Sequence, residues 1–157
     1  MSKVYGVGIM GAGNISTAYL KLAPLFRNLD VRAIADIMPE AAKRQADAFH
    51  VQAQTPDELL KNSEIDVIVN LTVPAAHYSV SKDIVSAGKH AYSEKPFVLS
   101  VEDGKQLKKL ADERGLKVGS APDTFLGGVH QQARQIIDSG KVGRIASGTM
   151  HVLSRGM

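Results

Sequence analysis

Apolar residues in this chain follow two periods that alternate along its length. Val4-Tyr-Gly-Val-Gly-Ile-Met10 is an almost unbroken apolar run, and a short run of this kind closed by glycine reads as a strand buried on both faces. Residues 14 to 25 then take the three-to-four spacing of a helix, with Asn14 a good residue to cap it. Asp30-Val-Arg-Ala-Ile-Ala-Asp36 predicts a second strand, 39–49 a helix with proline in its first turn, and 56–61 a short helix. Asp66-Val-Ile-Val-Asn-Leu71 is β-branched and apolar, as strands inside a parallel sheet are. Residues 74–87 are helical and stop at Gly88, and His90-Ala-Tyr-Ser93 is the next strand. Ser100 caps a helix that runs to Arg114 and ends at Gly115, before a strand at 116–119. Strand and helix alternate with short links throughout, which predicts a doubly wound parallel α/β sheet.

The pattern changes after Pro122. A helix is predicted over 128–139, then the turn Gly140-Lys-Val-Gly143, then an alternating strand over 144–153. The expected division is therefore 1–124 as one α/β domain and 125–157 as the start of a second, α+β domain cut short. The last strand has no evident partner in the chain, and an unpaired apolar strand promotes edge-to-edge association. Self-association, and hence a homo-oligomer, is expected.

Composition narrows the picture only a little. The chain has 157 residues, 44% of them hydrophobic and 22% charged, the balance of a globular protein. No apolar run approaches the ~18 residues that would cross a membrane, and Met-Ser-Lys leads straight into the first strand, so the expected location is the cytoplasm. There is no cysteine, which removes disulfides and thiolate chemistry. The five histidines are scattered without an i, i+4 pair, so no metal site is proposed. A net charge of +3 and a pI near 9.2 raise the question of nucleic acid. Lys105, Lys108 and Lys109 answer it: they share an amphipathic helix with Glu102, Asp112 and Glu113, a solvated face rather than a basic patch.

The chemistry begins with glycines that can be read in two registers. Gly6-Val-Gly8-Ile-Met-Gly11 spells Gly-x-Gly-x-x-Gly in full, whereas Gly11-Ala-Gly13-Asn-Ile-Ser16 has serine at the third position. A dinucleotide turn needs a buried strand before it and a helix N-terminus after it, where free N–H groups receive the pyrophosphate. Only the Gly11 register has both, and Ser16 is small enough to let the helix pack closely on the strand.

Ligands of doubly wound sheets bind outside the carboxyl ends of the strands, and four polar positions converge there. Gly11-Ala-Gly13 ends the first strand. Asp36 ends the second, where an acid hydrogen-bonds ribose hydroxyls. Thr72-Val-Pro74 follows the third, and Glu94-Lys95-Pro96 the fourth. Each has a plainer explanation: Asp36 as a helix cap, Thr72 to Pro74 as a turn, Lys95 as a surface lysine paired with Glu94. Together they point to a dinucleotide. Asp36 would meet a 2′-phosphate with like charge and no arginine follows it in its loop, so NAD is expected in preference to NADP.

"GIMGAGNIS", "ADIMPE", "LTVPAAHYSVSKDIVSAGKHAYSEKP" and "APDTFLGGVHQQARQIIDSGKVGRI", in this order, resemble the Gfo/Idh/MocA oxidoreductases, the glucose–fructose oxidoreductase and inositol dehydrogenase group. The resemblance implies a Rossmann domain in which Gly11, Gly13, Asn14 and Ile15 hold the pyrophosphate, with Gly8 in the preceding strand. It places Asp36 on the adenosine ribose, and Thr72, Pro74 and His77 along the cofactor. Glu94 and Lys95 fall at the nicotinamide end, with Lys95 the active-site lysine. Two departures stand out. Ile37-Met38 occupies a place where the family usually has an acid, and the family's substrate domain, which brings a further Asp and His, would begin where this chain stops. His151 lies too early for that role. Tyr78-Ser-Val-Ser-Lys82 spells the Tyr-x-x-x-Lys of short-chain dehydrogenases, but their glycine spacing is longer by one and their pair sits later in the chain.

The implied function is hydride transfer between nicotinamide and a sugar, cyclitol or related carbinol or carbonyl substrate, with Lys95 at the reacting oxygen. The resemblance is to the cofactor half of an enzyme, so the 157-residue chain by itself is expected to bind without turning over. A non-catalytic nucleotide-binding module, or an orphan fragment, is the alternative.

Overall fold

The computed structural model describes residues 3–121, 124–151 and 153. Pro122 and Asp123 of the motif quoted above, and Val152 of the expected last strand, lie outside the described residues. The chain divides into two units, 1–122 and 123–157.

In the first unit β1 (Tyr5–Met10), β2 (Leu29–Ala35), β3 (Gln52–Gln54), β4 (Val67–Asn70), β5 (His90–Ser93) and β6 (Val118–Ser120) form one sheet in the order β3-β2-β1-β4-β5-β6. Every pairing is parallel. The order reverses between β1 and β4, and the crevice for a ligand opens there. Between the strands run α1 (Asn14–Leu22), α2 (Pro39–Phe49), α3 (Pro56–Lys61), α4 (His77–Ser86) and α5 (Val101–Glu113).

Strand alternation sends side chains into two cores. Val7 and Ile9 of β1, Ile34 of β2 and Val69 of β4 pack with Leu20 of α1 and Ala41 and Ala46 of α2. Met10, Ala33, Ala35 and Ile68 pack the other way, with Leu59 of α3, Ile84 and Val85 of α4 and Leu107 and Ala111 of α5. Gly8 belongs to this second face: a Cβ there would lie 2.8 Å from Leu59 Cδ1 and 3.3 Å from Ile65 Cγ2. The space that Gly8 leaves is filled by Leu59, which is fully buried. A Cβ on Gly6 would meet the carbonyl oxygen of Glu64 at 1.9 Å. The first-register glycines thus let β1 pass close to its neighbours.

Several predicted boundaries shift for visible reasons. The first helix ends at Leu22 and tightens into a 3-10 turn, Ala23–Leu25, around Pro24. The fourth helix likewise opens with a 3-10 turn, Pro74–Ala76, and becomes α-helical at His77. Asn14 is the first helical residue rather than the cap; Gly13 is the cap, in extended conformation and without a side-chain bond. The edge strand β3 escaped the sequence reading because Gln52, Ala53 and Gln54 carry no apolar alternation.

At the amino ends of the strands, away from the crevice, two charged groups staple the loops. Lys89 is 7% exposed and donates to the carbonyls of Asn62 (2.6 Å) and Ile65 (2.8 Å). Burial lowers its pKa, against the opposing charge of Asp66. Asp66 accepts from Lys3 Nζ and from the Gly6 N–H, each at 2.9 Å. Those two hydrogen bonds, the lysine's first, hold its carboxyl below the usual range.

In the second unit a 3-10 turn, Thr124–Leu126, precedes α6 (Gly128–Asp138). Gln131 ties the two, donating from its side chain to Phe125 O at 2.6 Å. The strand expected over 144–153 is not formed among the described residues. A strand needs a partner for its N–H and C=O groups, and this segment has none in the described chain.

Candidate cofactor site

The glycine turn takes the second register. Gly11 follows β1 with φ +107°, and a Cβ there would lie 2.7 Å from the carbonyl carbon and oxygen of Leu71. Only glycine accepts that conformation and that approach. Gly13 differs: a Cβ would meet nothing within 4 Å. The space beside Gly13 is open, as a backbone cradle for a phosphate requires. The N–H groups of Gly13, Asn14 and Ile15 have no partner among the described residues, and the first turn of α1 carries no acid. Ser16 is fully buried and its Oγ donates to Gly13 O at 2.7 Å, which closes the turn beneath this cradle.

Asp36 leaves the end of β2 and is spoken for twice. Its Oδ2 accepts from Ala12 N at 2.7 Å and its Oδ1 from Met38 N at 2.9 Å. The carboxylate therefore locks the loop after β2 to the glycine turn. A carboxylate offers about four acceptor positions, so each oxygen keeps one for an incoming hydroxyl.

A groove of about 390 Å³ lies beside this pair, lined among others by Gly11, Gly13, Asp36, Met38, Thr72 and Val73. Its ionisable lining side chains are Asp36, Asp57 and Asp83, all acidic. Ile37 and Met38 stand exposed at its edge. Of the site residues expected from sequence, Gly11, Gly13, Asp36 and Thr72 line this groove. Gly8, Asn14, Ile15, Pro74, His77, Glu94 and Lys95 do not.

The β4 end holds a buried polar network that sequence reading did not find. Asn70, fully buried, accepts from Thr72 Oγ1 (2.6 Å) and Thr72 N (3.2 Å). It donates to His77 O (3.1 Å) and to Ser81 Oγ (3.0 Å). Thr72's hydroxyl proton is thus directed at Asn70 and not into the groove. His77 is 1% exposed. Its Nδ1 lies 2.6 Å from Pro96 O and its Nε2 2.9 Å from Thr72 O.

Glu94 and Lys95 follow β5 on the far side of β4. Glu94 Oε2 accepts from Lys95 N at 2.9 Å, and Oε1 accepts from Tyr19 OH of α1 at 3.0 Å. The carboxylate therefore serves its own loop and α1. The Lys95 side chain is exposed, and among the described residues its ammonium forms no ion pair. The Lys95–Pro96 peptide is cis. Tyr78, the rival motif's acid, donates instead to Gln106 of α5 at 2.8 Å.

The profile of an oxidoreductase family with an NAD-binding Rossmann fold, Gfo/Idh/MocA, matches residues 5–121. The inositol 2-dehydrogenase/D-chiro-inositol 3-dehydrogenase of Lactiplantibacillus plantarum is 31% identical over 152 residues, covering 88% of this chain and 41% of that protein. The crystal structure of a biliverdin reductase from Synechocystis, in complex with biliverdin and NADP+, is 30% identical with a TM-score of 0.76, covering 88% of this chain and 44% of that one. GenD2 from gentamicin A biosynthesis, in complex with NAD, shares the fold at 23% identity with a TM-score of 0.85, covering 90% of this chain and 41% of its own. The chain spans about two fifths of the length of the relatives it matches. The open glycine turn, the acid after β2 and the residues 5–121 matched by the profile agree on one identity: the chain belongs to the Gfo/Idh/MocA family of oxidoreductases, whose Rossmann fold binds NAD(P).

Proposed function

We propose that this chain is the NAD-binding part of an oxidoreductase acting on a sugar, cyclitol or related carbinol or carbonyl. The observation that carries the reading is the free end of α1, open at Gly13 and locked to Asp36, at the point where the strand order reverses. In it the N–H groups of Gly13, Asn14 and Ile15 bind the pyrophosphate, and the remaining lone pairs of Asp36 accept the ribose hydroxyls. Gly11 brings the turn down onto β4, while Gly8 serves the site from beneath by admitting Leu59. Thr72 and Val73 wall the groove on the β4 side, and Pro74 follows them in the same loop.

The bound dinucleotide would supply the hydride acceptor or donor. Lys95, exposed and without an ion pair among the described residues, is then the proton donor or acceptor at the substrate oxygen, and Glu94 fixes its backbone. The acidic groove supports NAD over NADP, because Asp36, Asp57 and Asp83 all repel a 2′-phosphate.

Titration of the chain and of Asp36→Asn with both nucleotides tests the assignment. The variant should weaken NAD by on the order of tenfold, the loss of charge-assisted hydrogen bonds, and narrow its preference over NADP. An unchanged preference would remove Asp36 from the site. Where turnover of a polyol or sugar is measurable, Lys95→Met should lower it on the order of 10²-fold or more while sparing NAD affinity. Full activity would return Lys95 to the solvated surface.

A further inference from the structure

We propose that His77 is a positioning residue for the nicotinamide end of the site, acting through the loop that carries Lys95 and not through contact with the cofactor. The inference rests on the dinucleotide reading above and departs from the role that the family resemblance gives this histidine. At 1% exposure its ring has no surface to offer a ligand. What it touches are two carbonyl oxygens, that of Thr72 just past β4 and that of Pro96 just past β5.

These two loops need a tie. β4 and β5 are laddered as far as Asn70 and Ser93, and the Glu94 N–H reaches back to Asn70 O at 2.9 Å. Beyond that point the ladder ends, and the loops after the two strands are free to part. The imidazole bridges them there, and its own placement is fixed from behind. Asn70 donates to the His77 carbonyl and accepts from Thr72, while His77 Nε2 faces Thr72 O, so the three residues close a circuit around one turn of chain. Each carbonyl is an acceptor only, so a neutral ring, with its single N–H, donates to one of the two at a time, and both donations together require a proton on each nitrogen.

Lys95 sits between two such ties. Upstream, Glu94 is bonded to α1 through Tyr19; downstream, Pro96 is bonded to α4 through His77. The flexible lysine stem therefore starts from a backbone held on both sides, which is what precise placement of an ammonium at a reacting oxygen demands.

The test separates the two ends of the cofactor. NAD and ADP-ribose are titrated by calorimetry into the chain and into two variants. The amide nitrogen of His77→Asn reaches about as far as Nδ1 and can keep the Pro96 link; that of His77→Gln reaches about as far as Nε2 and keeps only the Thr72 link. His77→Gln loosens the backbone of the loop after β5, a change that Lys95→Met does not make, and should lose on the order of tenfold in NAD affinity through the added ordering cost with ADP-ribose affinity little changed; His77→Asn should retain most of the NAD affinity. Folded variants in which the NAD to ADP-ribose ratio is unmoved would overturn the proposal. Should neither variant fold, the unsubstituted chain decides by ¹⁵N NMR of the His77 ring. NAD should shift the ring signals and ADP-ribose should not, and equal shifts, or none with NAD bound, would overturn it. A folded chain that binds neither ligand would instead sink the dinucleotide reading itself.

Discussion

Two glycines two residues apart carry opposite burdens, and the same substitution tells them apart. Gly11→Ala places a Cβ at φ +107° against the Leu71 carbonyl, which should cost about 1–3 kcal/mol of stability. Gly13→Ala points into open space at φ −74° and should cost less than about 1 kcal/mol. Its effect should fall on nucleotide binding, since the methyl occupies the room the phosphate needs. Thermal melts paired with NAD titration check both; a stable Gly11→Ala would contradict the close approach to Leu71. Gly11 was legible because φ +107° and the nearness of Leu71 leave room for glycine alone; Gly13, Ser16 and Asp36 were read from their spacing after it. Asn70, Ser81 and the two carbonyl contacts of His77 were not legible. Asn70 reads as the polar end of an apolar strand, and its partners lie a helical turn away on α4, so only the packing of α4 against β4 shows that the network is closed.

At the level of elements, helices with a chemical stop or start were readable to the residue. Pro39–Phe49 and Pro56–Lys61 match their predicted ranges, and Ser100 caps α5 by accepting from Asp103 N at 3.1 Å. Elements that depend on a neighbour were not readable. β3 exists through backbone pairing with β2, and the segment over 144–153 stays irregular among the described residues, without a strand to pair with. Lys89 was passed over for the same reason, since its value lies in two carbonyls some two dozen residues back. Lys89→Met would remove the bond to the buried Ile65 carbonyl and leave Asn62 O only its bond from Ile65 N, and should cost about 1–3 kcal/mol, seen as a lowered Tm with NAD affinity intact, because Lys89 sits at the opposite end of β5 from Lys95. A loss of affinity at unchanged Tm would contradict that separation. Asp66 adds a pH dependence at the same end. Its carboxyl is held below the usual range by Lys3 and Gly6, so its contribution is present above the unfolded-state value near 3.9 and is lost as pH falls through the lowered one. Urea melts of Asp66→Asn should therefore show a shallower loss of stability between pH 5 and the acid limit, values of pH chosen to bracket that titration. A slope equal to the parent's would assign the acid limb to other carboxylates.

For the whole molecule, the alternation of two hydrophobic periods was enough to imply a doubly wound parallel sheet, while the strand order β3-β2-β1-β4-β5-β6 and its reversal at β1 are visible only in the structure. That order brings Gly13 and Asp36, which lie 23 residues apart in sequence, to one side of the switch point, with Glu94 and Lys95 on the next strand beyond β4. A nucleotide lying across the crevice would meet its phosphate, ribose and nicotinamide partners in turn. Calorimetric titration of the folded 157-residue chain with NAD and with NADP tests this account most directly. The account predicts one site per chain with NAD bound more tightly than NADP, and that site lost on substitution of Gly13 by valine at unchanged secondary structure. No heat from either nucleotide, or tighter binding of NADP, would contradict it.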